Sequence, residues 1–415
     1  MQQLSDAEEN TVAKKNVRLY LLCQALGASS APINIALGGI VGSKLLGPDK
    51  SLATAPVTAY NIGVAIGALY ANWVMKRFGR KRGFILGTII GVIGLVLTGL
   101  AITVEHFWYF CGALTINGIA SGFVQQYRFA AADRGTKEFK PKAISIIMLG
   151  GVAAAIIGPQ IVIYASGLAM PYSSAFYMAT SLFILSFVAL LFLNPSNLGN
   201  QQAVSSEDTG RPLSAIVMQP RFLVAVFCGT SAYGLMSFVM TGAPLAMQHH
   251  GHSEVHATLG IQWHVMAMFA PSFITGHLIA RFGKEAIVSV GLIILIACGI
   301  VALAGLDLLH FWGSLILLGL GWNFGFIGAT SMVTDTYEPE EKNKAQGAND
   351  FIIFGSVAFA SLMSGQALNA YGWDFLNWII FPVSGLALIS LFWLRYQTSK
   401  LSQKSCNMVS NSRNR

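Results

Sequence analysis

Long apolar runs alternate with short polar segments along nearly the whole chain. Twelve of these runs approach or exceed the roughly 20 residues that a helix needs to cross a bilayer. They lie at 18–42, 52–75, 84–104, 107–130, 143–166, 173–193, 222–247, 257–280, 287–305, 308–333, 349–370 and 374–396. The pattern predicts an all-α membrane protein of twelve transmembrane helices. Its predicted parts are a tail (1–17), a six-helix bundle (18–193), a polar linker (194–221), a second six-helix bundle (222–396) and a tail (397–415).

The composition agrees with this pattern and excludes several classes of protein. Only 11% of the 415 residues are charged and 54% are hydrophobic, whereas soluble domains are about 25% charged. A soluble enzyme, a disulfide-built secreted module and a disordered chain are therefore excluded. The five cysteines are scattered without a CxxC pair. The sequence thus predicts no disulfide framework, no metal site and no cofactor.

The positions of the basic residues predict the orientation in the membrane. Of the 26 lysines and arginines, all but Lys44 and Lys50 fall in segments that twelve spans place on one side. Cytoplasmic loops carry such an excess of basic residues, so both termini are expected in the cytoplasm. The net charge of +8 therefore reflects topology and contact with the lipid bilayer, and no binding of nucleic acid is expected.

The two sets of six spans resemble each other. The segment 77–80 (Arg-Phe-Gly-Arg) follows the second span, and 281–284 (Arg-Phe-Gly-Lys) follows the eighth. Gly118 and Gly319 also stand at nearly the same place in spans four and ten. This pattern predicts two six-helix pseudo-repeats, an arrangement in which one half can rock against the other around a central site.

The basic loop after the second span resembles a signature of the major facilitator superfamily. In that signature a glycine and an aspartate precede Arg-x-Gly-Arg-Lys, which corresponds to 77–81 here. Gly79 permits the tight turn, while Asn72 and Lys76 replace the signature's glycine and aspartate. The resemblance covers nearly the whole chain. It implies the superfamily fold, a monomer, and transport of a small molecule by alternating access without enzymatic chemistry.

Other positions favour one branch of that superfamily. Leu114 occupies the place of an arginine that drug/proton antiporters carry in span four, and Gly158-Pro159 lacks the glycine pair that follows in their fifth span. The chain looks more like bacterial nutrient-type members. We therefore expect uptake of a vitamin-like or other ring-containing solute across the bacterial inner membrane, driven by a proton (symport) or by the solute gradient itself. The alternatives are proton-coupled efflux of drugs or metabolites and, from another class, a non-transporting sensor on the same fold.

His264 is the candidate for proton coupling. All eighteen acidic residues fall in tails, loops or helix ends, whereas His264 lies about eight residues (roughly 12 Å) into span eight. Its side chain can titrate near neutral pH. The alternative is a neutral histidine that forms a hydrogen bond with a neighbouring helix.

Amide and aromatic side chains inside the spans are the candidates for contact with the substrate. Such side chains suit a neutral or weakly charged molecule with a flat ring, although each one alone is more often a helix–helix contact. The candidate set is Asn61, Asn117, Gln126, Trp263, His264, Trp322 and Asn323.

A second set of candidates concerns gating. Arg77, Gly79 and Arg80 belong to the signature loop, and Arg128 and Asp133 follow span four. Asp350 begins span eleven, where it can take the role of the aspartate that Lys76 replaces. A metal site is the alternative interpretation of the histidine-rich segment 249–256, but a solvated loop is preferred because no cysteine and only Glu254 accompany the histidines.

Overall fold

A computed structural model of the protein describes residues 6–131, 139–194 and 210–413, and within these ranges all regular secondary structure is helical. The helices are α1 (Asp6–Ala28), α2 (Ser30–Leu45), α3 (Ala55–Phe78), α4 (Arg80–Thr103), α5 (Phe107–Val124), α6 (Tyr127–Ala131), α7 (Phe139–Ala165), α8 (Pro171–Leu191), α9 (Leu213–Val217), α10 (Pro220–His249), α11 (Glu254–Phe269), α12 (Ser272–Phe282), α13 (Lys284–Ala304), α14 (Leu308–Val333), α15 (Lys342–Trp378) and α16 (Ile380–Arg413). A 3₁₀ turn, Pro339–Glu341, precedes α15.

Most of these helices are suited to a membrane. Ten segments of the described chain are long and apolar enough to cross one, and α11 with α12, bent by 41°, makes an eleventh. The remaining predicted span is α3, a helix of 24 residues that carries more polar side chains. The predicted all-α, multi-pass membrane architecture is confirmed.

The ends of the last two helices differ from the predicted boundaries. Helix α15 begins at Lys342 and not near 349, because the 3₁₀ turn before it is closed by a capping box between Glu338 and Glu341. Gly372, with φ of 80°, breaks the helix where the predicted spans eleven and twelve meet. Helix α16 continues to Arg413, well beyond the predicted end at 396.

Two separate clusters of buried apolar side chains stabilise the bundle. One is formed by the first six spans and includes Phe84, Phe110 and Phe183. The other is formed largely by the last six and includes Phe222 and Phe311. Each cluster packs one half of the chain, so the surface between the halves is left to a different set of contacts.

Two glycine turns mark the same end of the bundle. Gly79, between α3 and α4, has φ 83° and ψ 159°, and Gly283, between α12 and α13, has φ 89° and ψ 157°. Side chains rarely adopt these positive φ values, so glycine is favoured at both turns. We call this end, with its arginines and lysines, the basic end, and the other end the opposite end.

Two cysteines occupy corresponding places in the two halves. Cys23 in α1 donates to the carbonyl of Ser186 in α8 at 3.7 Å, and Cys228 in α10 donates to the carbonyl of Ala387 in α16 at 3.8 Å. Both thiols are fully buried. They behave as small core residues that join the first and last spans of each half.

Candidate functional site

The two halves touch each other at the opposite end. Glu254, which begins α11, accepts a hydrogen bond from Lys44 Nζ at 2.9 Å and from the Tyr172 hydroxyl at 2.5 Å. Lys44 at the end of α2 also contacts the Tyr172 hydroxyl directly. A second contact joins α3 to α15, where Thr54 Oγ1 donates to the Ser361 carbonyl at 2.9 Å. These contacts hold the halves together at this end.

Further polar contacts close the same end at greater depth. The hydroxyls of Thr58 and Ser361 lie 3.0 Å apart. Gln160 in α7 donates through Nε2 to Gln262 Oε1 in α11 at 2.9 Å. Side chains of the two halves thus pair with one another in more than one layer at the opposite end of the bundle.

The ion pairs at the basic end have a different pattern. Arg221 and Lys284 both pair with Asp335, at 2.7 and 2.5 Å, and Arg211 pairs with Glu341 at 2.7 Å. All of these residues follow the predicted first bundle in the chain. Each of these described ion pairs therefore lies within the second half or between it and the linker, and none of the three reaches the first half.

One wall of the cleft between the halves is polar and belongs to the first half. Asn117 of α5 donates through Nδ2 to Asn34 Oδ1 of α2 at 3.3 Å, and the Tyr60 hydroxyl of α3 donates to Ser121 Oγ at 3.0 Å. All four residues are buried. The Asn34 Nδ2 and Asn117 Oδ1 atoms have no hydrogen-bond partner among the described residues. We call Asn34, Tyr60, Asn117 and Ser121 the polar wall.

The facing wall is aromatic and belongs to the second half. The Trp322 and Phe326 rings of α14 stack with centroids 5.2 Å apart and planes 19° apart. Tyr233 of α10 meets Trp322 edge-on at 5.4 Å, Phe326 at 4.9 Å and Phe354 of α15 at 6.1 Å. Phe269 of α11 meets Trp322 at 6.2 Å. We call Tyr233, Phe269, Trp322, Phe326 and Phe354 the aromatic wall.

Tyr233 links the two walls in space. Its phenol lies close enough to Tyr60 of the polar wall and to Arg128 of α6 to interact with both electrostatically. Within the described residues the Tyr233 hydroxyl and the Arg128 guanidinium have no hydrogen-bond partner. The two walls therefore lie near each other where the halves meet, with Arg128 on the first-half side.

Arg128 also interacts across the cleft with Asp350 of α15. Both side chains are exposed, and the two form no ion pair within 4.0 Å. The guanidinium lies over the ring of its neighbour Phe129, with 4.7 Å between the Cζ atom and the ring centroid. An opposite charge thus stands on each half where the cleft approaches the basic end.

The residues predicted to contact the substrate lie in several different parts of the structure. Trp322 and Asn117 lie in the two walls, Gln126 is buried near Arg128, and Asn61 is half-buried on α3. Trp263 is 40% exposed, which places it on the surface of α11 and not in either wall.

His264 and Asn323 lie between helices of the second half. His264 is fully buried, and its Nδ1 atom is 2.8 Å from the Leu315 carbonyl of α14, while its Nε2 atom has no partner among the described residues. Asn323 donates to the Met268 carbonyl at 2.6 Å and to Ser272 Oγ at 2.7 Å. Asn323 thus ties α14 to the bend between α11 and α12.

The predicted gating residues that the structure describes lie at or near the basic end. Gly79 forms the turn described above, and Arg77 lies with its Cζ atom 5.8 Å from the Phe78 ring centroid. Arg80 is half-buried at the start of α4, while Asp133 lies outside the described residues. The wall residues Phe269, Phe326 and Phe354 were not predicted. The spacing of Trp322 and Phe326, one helical turn apart, was the only signal that could have indicated them.

Comparison with known proteins identifies the class that this fold and this cleft define. A sequence model described as Major Facilitator Superfamily matches residues 19–360 and 272–405. The chain belongs to that superfamily, and the predicted transport of a small organic molecule is confirmed. These matches together cover all of the predicted spans except the start of the first.

Individual relatives extend over nearly the same length. The chain is 48% identical over 384 residues to the riboflavin transporter RfnT of Brucella anthropi, a match that covers 92% of this chain and 96% of the relative. It is 27% identical over 382 residues to YddS, an uncharacterized MFS-type transporter of Bacillus subtilis, covering 88% and 87%.

Solved structures show the same fold. The nucleoside transporter NupG superposes with a TM-score of 0.70 at 16% identity, covering 92% of this chain and 97% of that one. The xylose transporter XylE from E. coli, in a partially occluded inward-open conformation, gives a TM-score of 0.70 at 14% identity with the same coverage. At these identities the likeness concerns the fold alone.

Proposed function

We propose that this protein imports riboflavin across the bacterial inner membrane. The observation that carries the proposal is the 48% identity to a riboflavin transporter over 92% of this chain. The cleft supports it, because riboflavin joins a flat three-ring system to a chain of hydroxyl groups. An aromatic wall suits the ring system, and a facing wall of amides and hydroxyls suits polar groups.

The transport cycle that we propose is alternating access between the two six-helix halves. The basic end lies in the cytoplasm, as the positions of the lysines and arginines favour, and both termini lie there too. The arrangement described above then opens toward the cytoplasm, because the contacts between the halves are concentrated at the opposite end. Transport requires the halves to part there and to approach each other at the basic end.

Two sources of driving force are compatible with this cycle. Proton symport requires a group that gains and loses a proton, and His264 is the candidate within the spans because its Nε2 atom is buried without a partner among the described residues. A facilitator requires no such group, and His264 then serves only to join α11 to α14. We propose proton symport through His264 as the version to test first.

Uptake of labelled riboflavin into proteoliposomes tests the proposal. Wild-type protein is expected to concentrate riboflavin when an inward proton gradient is imposed, and His264→Ala is expected to lose this accumulation. His252→Ala is the matched control, since His252 lies before α11 and contacts the Leu306 carbonyl. Accumulation in both variants would remove His264 from the mechanism, and equilibration alone would indicate a facilitator. The absence of riboflavin uptake, with expulsion of lipophilic dyes, would replace import by efflux.

A further inference from the structure

Trp322 carries a buried hydrogen-bond donor within the aromatic wall. Its side chain is 7% exposed, and its Nε1–H has no hydrogen-bond partner among the described residues. A buried indole N–H usually finds an acceptor. The donor in this wall is therefore unsatisfied by the protein itself.

A second tryptophan shows the usual arrangement. Trp312 stands ten residues earlier in the same helix, toward the opposite end, and its Nε1 donates to the His256 carbonyl at 3.0 Å. The two indoles thus share one helix but differ in whether the protein supplies an acceptor. The difference points to a partner for Trp322 that comes from outside the chain.

The surroundings of Trp322 restrict what that partner can be. Rings enclose the indole, with Phe326 stacked on it and the edges of Tyr233 and Phe269 against it. An acceptor that reaches Nε1 must therefore be carried by a group that packs well against aromatic faces. A hydrated anion or a flexible polyol lacks that property, whereas a heteroaromatic ring with nitrogen or carbonyl acceptors at its edge has it.

We propose that Trp322 is a specificity-determining residue, whose Nε1–H donates a hydrogen bond to an acceptor on the edge of the flavin ring. The inference rests on the proposed function and adds to it the atom that recognises the ring. In the arrangement seen, Nε1 is buried, so a neighbouring side chain shifts when the flavin enters. Flat aromatic solutes without an edge acceptor leave the donor unpaired and are rejected.

Titration of the purified protein tests this inference separately from transport. The dissociation constant for riboflavin is measured by quenching of flavin fluorescence for wild type, Trp322→Phe, Trp322→Ala and Trp312→Phe. Trp322→Phe keeps an aromatic ring but removes the donor, so affinity is expected to fall about tenfold, as for loss of one hydrogen bond. Trp322→Ala is expected to bind still more weakly. Trp312→Phe, which removes an indole N–H outside the cleft, is expected to bind as wild type does.

A second ligand locates the contact on the ring. Lumiflavin carries the same ring system without the polyol chain, so Trp322→Phe is expected to weaken lumiflavin and riboflavin by the same factor. Unchanged riboflavin affinity in Trp322→Phe, or weakening confined to riboflavin, would overturn the inference while leaving the proposed function intact. An equal loss in Trp312→Phe would also overturn it. If wild-type protein does not bind riboflavin, the proposed function fails and the inference fails with it.

Discussion

The two ends of the helix bundle differ in which residues their polar side chains pair with. At the opposite end, Lys44 and Tyr172 of the first half meet Glu254 of the second. At the basic end, Arg221 and Lys284 meet Asp335 of their own half. In the proposed cycle, contacts of the first kind break when the halves rock, whereas contacts of the second kind move with one half.

The contacts between the halves at the opposite end are individually modest in strength. The Lys44 and Glu254 side chains are 51% and 35% exposed, and exposed ion pairs contribute only about 0–1 kcal/mol. The Tyr172 hydroxyl donates to the Glu254 carboxylate, and a hydrogen bond to a charged group contributes about 1.5–3 kcal/mol. The contacts of Thr54, Thr58 and Gln160 across this end are neutral hydrogen bonds, each contributing about 0.5–1.5 kcal/mol. Contacts of this size are compatible with a gate that opens in every turn of the proposed cycle.

The largest effect is expected from locking the opposite end. The hydroxyls of Thr58 and Ser361 lie 3.0 Å apart across the halves, so Thr58→Cys combined with Ser361→Cys places two sulfurs within reach of a disulfide. Oxidation is expected to abolish nearly all uptake, because the halves can no longer part there, and reduction is expected to restore it. Each single cysteine variant, treated alike, is the control. Wild-type uptake by protein whose cross-link is verified by mass spectrometry would contradict the assigned motion.

A smaller effect is expected from the charges that face each other near the basic end. Arg128 and Asp350 attract one another without forming an ion pair in this arrangement, and we expect them to pair when the basic end closes. Arg128→Gln and Asp350→Asn should each lower the uptake rate about tenfold, equivalent to about 1.4 kcal/mol.

Exchange of the two charges separates pairing from other roles. Arg128→Asp combined with Asp350→Arg should recover part of the activity that either single change removes. Arg395→Gln, which removes an exposed arginine of α16, is the control and should transport normally. Wild-type rates in both neutralised variants, or a double exchange no better than the single changes, would remove this pair from the gate.

A still smaller effect is expected at Glu254. Glu254→Gln removes the charge to which Lys44 and Tyr172 both donate. Because the Lys44–Glu254 ion pair is exposed, its loss is expected to shift the equilibrium between the closed and the open opposite end by about fivefold, equivalent to about 1 kcal/mol. Thr258, one helical turn further along α11, lines a small crevice with Glu254. A Thr258→Cys reporter should therefore react faster with an impermeant maleimide when Glu254→Gln is present. Lys50→Gln is the control, because Lys50, in the loop after α2, donates to the Ser43 and Leu46 carbonyls of its own half. An equal maleimide reaction rate in Thr258→Cys alone and in its combinations with Glu254→Gln and with Lys50→Gln would show that the Glu254 contact does not hold the end closed.

The fold was more accessible from the sequence than the site was. Apolar runs predicted the helices and the basic loop predicted the turn at Gly79, because both signals are local. The bend between α11 and α12 was not predicted, although Pro271, which lacks a backbone N–H and stands at the bend, is a local signal for it. The contacts of Asn323 with Met268 and Ser272 at this bend join distant parts of the chain and could not be read from the sequence.

The candidate site was predicted only in part, for a geometric reason. Adjacent helical residues point about 100° apart, so Trp263 and His264 cannot both face one cleft, and the sequence alone does not say which does. Phe326 and Phe354 were missed because a phenylalanine in an apolar span has the same local signature whether it faces lipid or a cleft. Trp322 and Asn117 were included because amide and indole groups are unusual inside spans.

The smallest effect on transport is expected from the ion pair between Arg211 of the linker and Glu341 of the second half, because this contact does not reach the first half. Hydrogen bonds from the Arg211 side chain and from backbone groups lower the pKa of Glu341 from 4.5 to about 2. A carboxyl group whose pKa is lowered by folding stabilises the folded state at pH values above its ordinary pKa of 4.5. This stabilisation is lost as the pH falls through 4.5 toward 2. Glu341→Gln should therefore leave uptake near wild type but lower the melting temperature at pH 7 by a few degrees at most, with the difference shrinking as the pH is lowered. Glu340→Gln is the neighbouring control. A melting difference that stays constant between pH 7 and pH 3 would show that the ion pair does not stabilise this end, and a loss of uptake would show that the contact takes part in the motion after all.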